Sequence, residues 1–340
     1  MTAQSRPPKT PASLTMLARH AGVSIATASR VMNGVTNKAS AETVARVRAA
    51  AAELNYRPAG AGQALRRRES RIVAMLAAAL ANPVMGAIAS SVEIGLRGEG
   101  LVMSLCDTRE QAAVQDAYLE EMQAQMVRAV VLAGAVDSPG LDRMRAEGPP
   151  LVFVNRPDPG DPGSAYVGID NRAAGRDLAQ AVLGLCCGPV ALVHGLLDRT
   201  AGTYRRQGIL EAFAAAGRGA PELAEIAAPG LNQLEAGRAA MAQALAAGLR
   251  PAAVICLSDA LAYGAHRALE EAALPGGEAV RFFGFDDLIF NDWVAGWLSS
   301  VAVPRDLYGP AVMEVLGQLW QGAPPAGPVY LPHHLSLRGG

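Results

Sequence analysis

Three serines, Ser13, Ser24 and Ser40, each open an apolar-periodic stretch, and only Gly22 and Val23 separate the end of the first stretch from the second serine. Serine is a favoured helix N-cap and glycine a favoured terminator, so the spacing predicts two short helices that must meet across a very tight turn. Leu14, Leu17 and Ala18 form the apolar stripe of the first. A third helix opened by Ser40 would bury Val44, Val47 and Leu54 against the other two. This is helix-turn-helix geometry, in which the second helix lies in the DNA major groove with its first residues at base edges. Residues 13–57 are therefore expected to be a DNA-binding head.

Charge agrees with that reading. The chain carries a formal net charge of −1, yet through residue 71 it holds 12 Lys and Arg against 3 acidic residues, and the remainder is correspondingly acidic. A small basic module on a larger acidic body suits phosphate neutralisation, which releases condensed counterions.

At 340 residues the chain has room for two or three domains. Its 51% hydrophobic content is inflated by alanine. The longest apolar run, Ile72 to Ala81, is about half of what a bilayer span needs. The first 12 residues have no apolar signal core and are expected to form a disordered arm. Cys106, Cys186, Cys187 and Cys256 lack metal-ligand spacing, so buried reduced thiols, a cytoplasmic location, no cofactor and no membrane partner are expected.

From residue 71 onward β-rich runs alternate with helical stretches. The expected strands are 72–77, 101–106, 129–132, 151–154, 190–194, 253–257 and 280–285, and the expected helices 85–98, 111–125, 172–185, 204–216, 235–247 and 259–271. This rhythm predicts an α/β core of parallel sheets covered on both faces. The turn-rich Pro157–Gly163 segment suggests two lobes, with ligands bound at the carboxyl ends of the strands.

The runs A21-G-V-S-I-A-T-A-S-R-V-M-N-G34, A50-A-A-E-L-N-Y-R-P58 and N82-P83, followed in order by V167-G-I-D-N171, R205-R-Q-G208, F283-G-F-D-D287 and S300-V-A-V-P-R305, resemble the LacI/GalR family of bacterial transcription regulators over essentially the whole chain. The resemblance implies an N-terminal all-α helix-turn-helix head and a hinge helix or linker over 58–70. It further implies a two-lobed, periplasmic-binding-protein-like core, with a first lobe of 71–165 and 301–330 and a second of 166–300 and 331–340. It also implies a homodimer on a double-stranded, pseudo-palindromic operator. A tetramer is the weaker expectation, because the extra C-terminal helix of some relatives does not follow Leu337.

Ile25 and Ala26 fall where the family makes its main base contacts. Neither side chain donates a hydrogen bond, so they would read thymine methyls or exclude wrong bases by shape; the alternative is that Ile25 is a core residue. Arg30 suits a bidentate contact to guanine, and Ser24 caps the helix that presents it. Thr15, Thr27, Ser29 and Asn33 suit phosphate contacts, which position without specifying. Met16 and Gln63 depart from the residues that relatives carry, so the contacts made there do not transfer. In the hinge, Pro58 can start a helix, whereas Gly60 and Gly62 each cost about 1 kcal/mol within one. Leu65 falls where the family wedges a leucine into the minor groove, and the alternative is ordinary linker packing.

For the effector, the resemblance points to Arg205 and Asp286, with Asn155 and Ser258 facing the same cleft. Asn232, Val84 and Met85 stand where relatives often have aromatics. Such a pocket suits a sugar, sugar acid or sugar phosphate, although an Arg205–Asp286 salt bridge is an equally simple use of the pair. Asp170 and Asn171 are expected to be structural. The mechanism implied is a repressor released when effector rearranges the core lobes and separates the hinges, with a corepressor of opposite sign as the alternative. A transport-type sugar-binding protein would have no use for the head. An enzyme is not expected, since G-x-S-x-G, phosphate-loop and G-x-G-x-x-G patterns are missing. His333 and His334 are expected to be exposed, and Asp286 and Asp287 to diverge in direction.

Overall fold

The structure, a computed structural model, describes residues 12–56, 70–161, 163–197, 201–218, 222–230, 232–323 and 327–338. The expected hinge up to residue 69, Leu65 included, and the expected arm up to residue 11 lie outside the described residues. The chain divides into two compact units, Met1–Ser70 and Arg71–Gly340.

The first unit contains α1 (Leu14–His20), α2 (Ile25–Met32) and α3 (Ala41–Glu53). Ser13, Ser24 and Ser40 each cap one helix, accepting from the backbone N–H of Met16, Thr27 and Thr43 at 3.2, 3.1 and 3.2 Å. The three helices also end alike. Gly22, Gly34 and Asn55 adopt left-handed backbone with φ of 62°, 80° and 48°. The amide after each reaches back to the carbonyl of Ala18, Arg30 and Ala51 at 3.0, 2.9 and 2.8 Å. The amides of Gly22, Gly34 and Asn55 themselves bond the carbonyls of Arg19, Val31 and Ala52 at 3.2, 3.1 and 3.1 Å, and the two bonds at each end satisfy the last carbonyls and reverse the chain within two residues. Leu17, Ala28, Val31 and Val47 are buried between the helices, with Val44 and Leu54 partly buried at the edge. Arg46 of α3 donates to the Ala21 carbonyl at 2.9 Å, tying the first turn to the third helix.

The second unit is built on two six-stranded sheets. The first contains β1 (Ile72–Ala77), β2 (Val102–Asp107), β3 (Ala129–Ala133), β4 (Leu151–Val154), β5 (Tyr166–Ile169) and β11 (Pro328–Leu331), in the spatial order β11-β5-β4-β3-β1-β2. The second contains β6 (Val190–His194), β7 (Leu223–Ala227), β8 (Ala253–Cys256), β9 (Arg281–Asp286), β10 (Leu298–Ala302) and β12 (His334–Ser336), in the order β12-β10-β9-β8-β6-β7. All described pairings are parallel except that of β10 with β12. Parallel strands need crossover helices, and these cover both faces.

Helices α4 (Pro83–Gly98), α5 (Ala112–Ala124), α6 (Pro139–Glu147) and α12 (Tyr308–Trp320) serve the first sheet. Val73, Met75 and Val131 pack with α4 and α12, while the alternate residues Leu76, Val130 and Leu132 pack with α5 and α6. Helices α7 (Asn171–Leu185), α8 (Ala201–Ala215), α9 (Gln233–Ala246) and α10 (Asp259–Ala272) do the same for the second sheet, with the short α11 (Asn291–Val294) after β9.

Two expectations need correction. The lobe boundaries shift: Tyr166–Ile169 pairs with β4 in the first sheet, so the chain first crosses after Ile169 and residues 166–169 belong to the first lobe, while Val301 and Ala302 of β10 belong to the second lobe and Leu331 of β11 to the first. His333 is not simply exposed: its Nε2 lies 2.9 Å from Asp177, and its side chain is 15% exposed.

Helix pairs meet through glycines. A Cβ at Gly175 on α7 would collide with the Arg205 carbonyl oxygen, and one at Gly208 on α8 with that of Arg172. Gly237 and Gly264 play the same part between α9 and α10, and Gly309 seats α12 against Ser91 of α4. Backbone is met by backbone at these points, so nothing flexible can give way. Gly264→Ala is expected to lower stability by about 1–3 kcal/mol. Gly184→Ala, exposed on α7 with open space at its Cβ, should raise it by up to about 1 kcal/mol. Urea unfolding of the two variants beside the parent checks the contrast.

Candidate functional site

The head presents one face of α2. Ala28 and Val31 point inward, whereas Ile25 is 49% exposed, which answers the alternative that it belongs to the core. Ala26 and Arg30, four residues apart, are exposed on one side of the helix. Ser24 Oγ lies 2.9 Å from Thr27 Oγ1 in addition to capping the helix, and Asn33 Nδ2 donates to the Ser29 Oγ at 3.3 Å. Thr15 is exposed on α1.

The core places its charged cluster where the strands end. Arg205, on the first half of α8, is 5% exposed. Its Nε donates to Asn171 Oδ1 at 2.8 Å, its Nη1 donates to the Leu257 carbonyl at 2.8 Å, and its guanidinium plane lies over Phe285 at 4.5 Å. Asp286, the last residue of β9, stands 3.6 Å from Nη1, an ion pair just beyond hydrogen-bond length. Burial pushes its carboxyl up to about 7, against the opposing pull of Arg205. Asp286 and Asn155, at the carboxyl ends of β9 and β4, both have positive φ, 113° and 65°. Non-glycine residues held in this way cost roughly 1–3 kcal/mol each and concentrate at functional sites.

Behind Asp286 lies a second buried carboxylate, Asp259, at the start of α10. It accepts from Ser300 Oγ at 2.7 Å, Asn291 Nδ2 at 2.8 Å and the Leu288 amide at 3.0 Å. Gly284 is required beside it, because a Cβ there would collide with Oδ1. Asp286 and Asp287 do diverge: Asp287 turns away to accept from Ser336 and Arg338, each at 2.7 Å.

Of the residues expected at an effector site, Arg205 and Asp286 come together. Ser258 lies beside them in sequence terms, following Leu257, but its hydroxyl donates to Gln233 at 2.7 Å and caps α10. Asn155 sits in the first lobe, where its carbonyl accepts from the Tyr166 hydroxyl at 3.3 Å. Val84 and Met85, 2% and 5% exposed, are buried in the core under α4. Asn232 caps α9 and lines a surface pocket with Leu234, Arg238, Tyr263 and Arg267. Asn171, expected only to be structural, holds Arg205 directly. Asp259, Tyr166 and Tyr308 were not anticipated. The S258-D-A run before a helical stretch was a usable signal for Asp259, but nothing local marks the two tyrosines.

A capped three-helix head that exposes one face of its second helix, joined in sequence to a two-sheet α/β core with a buried charged cluster at its strand ends, is the arrangement of a DNA-binding transcription regulator. The family model "Bacterial regulatory proteins, lacI family" matches residues 14–59, and "Periplasmic binding protein domain" matches residues 73–324. The chain is 31% identical over 304 residues to the ribose operon repressor of Escherichia coli (strain K12), across 88% of this chain and 90% of that one. It is 30% identical over 310 residues to the HTH-type transcriptional regulator GntR of Pseudomonas aeruginosa, across 91% and 89%. Among solved structures, the lac repressor dimer bound to operator and the anti-inducer ONPF matches with a TM-score of 0.84 over 97% of this chain and 98% of that one, at 24% identity, a likeness of fold. A transcriptional regulator CelR–cellobiose complex matches at 0.69 and 27% identity, over 96% and 99%. The chain belongs to the lacI family of bacterial regulatory proteins.

Two expected outcomes follow from this geometry. Ser24→Ala removes the cap of the recognition helix and should cost the head about 0.5–2 kcal/mol, read from its thermal unfolding. The buried Asp286 carboxyl keeps its proton in the folded chain between about pH 4 and about 7, where the unfolded chain has lost it. Its contribution to stability therefore falls as pH rises through that window and is level above it. Urea unfolding of the parent and Asp286→Asn should give a stability difference that drifts against the parent from about pH 4 to about 7; a constant difference would mean an ordinary carboxyl.

Proposed function

We propose that this chain is a repressor that binds a pseudo-palindromic operator as a homodimer and is released by a sugar, sugar acid or sugar phosphate held between the core lobes. The observation that carries the reading is Arg205, a buried cation fixed by Asn171, Leu257 and Asp286 at the carboxyl ends of the strands. Parallel α/β sheets bind ligands at that end. The Asp286 carboxyl can accept from a ligand hydroxyl with or without its proton, and the guanidinium suits hydroxyl or carboxylate oxygens.

On the DNA side, Ile25 and Ala26 would meet thymine methyls, Arg30 would contact guanine, and Thr15, Ser24, Thr27, Ser29 and Asn33 would approach phosphates; the exposure of Ile25, Ala26 and Arg30 on one side of α2 supports this. Dimerisation is supported by unpartnered apolar surface on the second lobe. Ile289, Trp293 and Val294 are 74%, 86% and 69% exposed. Within the same segment Asn291 accepts from the Tyr263 hydroxyl and the Phe290 ring lies 6.1 Å from that of Tyr263. Apolar surface of this kind marks a protein interface. Effector binding then shifts operator affinity by the difference in its affinity for the two arrangements of the lobes, carried to the head through residues 57–69. A cytoplasmic location fits an operator-binding protein.

The test begins with an operator selected from random-sequence duplexes. Arg30→Ala should weaken binding to it by about 1–3 kcal/mol per lost base contact. A panel of sugars, sugar acids and sugar phosphates should contain a compound that releases the parent, while Arg205→Ala stays bound at the same concentration. Trp293→Asp should halve the mass measured by light scattering and abolish tight operator binding. Release of Arg205→Ala at the parent's effector concentration would remove the cleft from the mechanism.

A further inference from the structure

The start of α2 offers a base edge methyl groups and no side-chain hydrogen bond. Ile25 is 49% exposed, and Ala26 is exposed beside it. The nearest hydroxyls turn toward the helix itself: Ser24 Oγ accepts from the Thr27 amide at 3.1 Å and lies 2.9 Å from Thr27 Oγ1. One turn on, Arg30 is exposed on the side of Ala26, and no acidic side chain among the described residues holds its guanidinium. The unit's excess of Lys and Arg over acidic residues suits a phosphate backbone. Side chains four apart on a helix start about 5–6 Å from each other, and successive bases rise about 3.4 Å along a strand. An arginine therefore reaches the base next to the one that Ala26 meets.

The two positions select by different chemistry. Guanine presents N7 and O6, two acceptors that match the paired donors of a guanidinium. The other base is read through carbon alone. Thymine and 5-methylcytosine carry the same C5-methyl into the major groove and differ at C4, where one has an oxygen acceptor and the other an amine donor. Ile25 and Ala26 cannot sense that difference, because neither side chain donates or accepts. Both sense the methyl, whose loss leaves apolar surface against water.

We infer that the head reads a two-base step, a C5-methylated pyrimidine followed on its 3′ side by guanine, and accepts 5-methylcytosine there in place of thymine. Ile25 and Ala26 pack on the methyl, Arg30 bonds the guanine, and the weakly hydrated guanidinium plane covers the other side of the methyl. The inference rests on the DNA-side reading proposed above and deepens it, since operator affinity then responds to cytosine methylation. A CpG step is held weakly until its cytosine carries the methyl group.

The test uses the full-length chain and the operator selected from random-sequence duplexes, with binding read by fluorescence anisotropy at one salt concentration. The guanine read by Arg30 is located first, as the one whose replacement by 7-deazaguanine weakens the parent and leaves Arg30→Ala unchanged. The base 5′ to it is then made thymine, deoxyuridine, cytosine or 5-methylcytosine in both half-sites, each with its complementary base. The thymine and 5-methylcytosine duplexes should bind alike. Deoxyuridine and cytosine should each weaken binding about fourfold per half-site, the factor that one buried methyl carries. Ile25→Ala, a change at an exposed side chain, should bring the four duplexes closer together. Equal binding of the thymine and deoxyuridine duplexes overturns the inference, while a guanine that still depends on Arg30 leaves the DNA-side reading standing. A 5-methylcytosine duplex held as weakly as the cytosine one also overturns it, since C4 would then be read. A methyl effect of the same size in Ile25→Ala overturns the role of Ile25. Binding in which no guanine depends on Arg30 overturns the DNA-side reading and this inference with it.

Discussion

The carboxylate of Asp259 holds the site together. It sits at the start of α10 with no exposure to solvent, and it collects a hydroxyl, an amide side chain and a backbone amide from three different segments. Burial pushes the Asp259 carboxyl up, against the pull of these donors, and a buried carboxyl is tolerated only when it is bonded in this way, so β10, α11 and the turn after β9 are all committed to the positions that supply its partners. Gly284 is part of the same requirement, since any side chain there would displace the carboxylate. The left-handed turn at Asp286 and Asp287 follows, and it aims one carboxylate at Arg205 and the other at Arg338. The cluster at the strand ends is thus set by a carboxyl group that does not belong to it.

The head reaches a defined shape by another route. Its core is made largely of alanines and a few branched residues, too little apolar surface to dictate three helix axes alone. Local chemistry fills the gap: a serine at each start, a left-handed residue at each stop, and Arg46 closing the first turn. The exposed face of α2 is therefore held by bonds that do not use the residues placed at base edges. Ile25, Ala26 and Arg30 can vary without unfolding what carries them.

Local signals were the legible ones. The serine caps, Gly22 and the Val-rich strands β1, β3, β4, β6 and β8 stand at or within a residue of their expected places. Strands β5, β7, β10, β11 and β12 escaped the sequence reading. They are short, interrupted by Gly168, Glu225, Ser299 and Ser300, or close to prolines, and they are extended because a neighbouring strand pairs with them. Missing β5 misplaced the first crossing between lobes. The same division runs through the site. Arg205 and Asp286 were readable from motif and order. Val84 and Met85 were assigned to the cleft from position alone, and they are as deeply buried as Arg205 and Asp286, packed with the core.

The glycine contacts between α7 and α8, and again between α9 and α10, carry a mechanical consequence. Where side chains separate two helices, a push on one is absorbed by rotamer changes in the layer between them. Here main chain bears on main chain at Gly175, Gly208, Gly237 and Gly264, and that cushioning layer is absent at the contact. Arg205 stands at one of these points, its own carbonyl forming the seat for Gly175. A displacement of Arg205 by a fraction of an ångström is therefore delivered to α7 undiminished, and α7 is the helix that follows the first passage of the chain between the lobes.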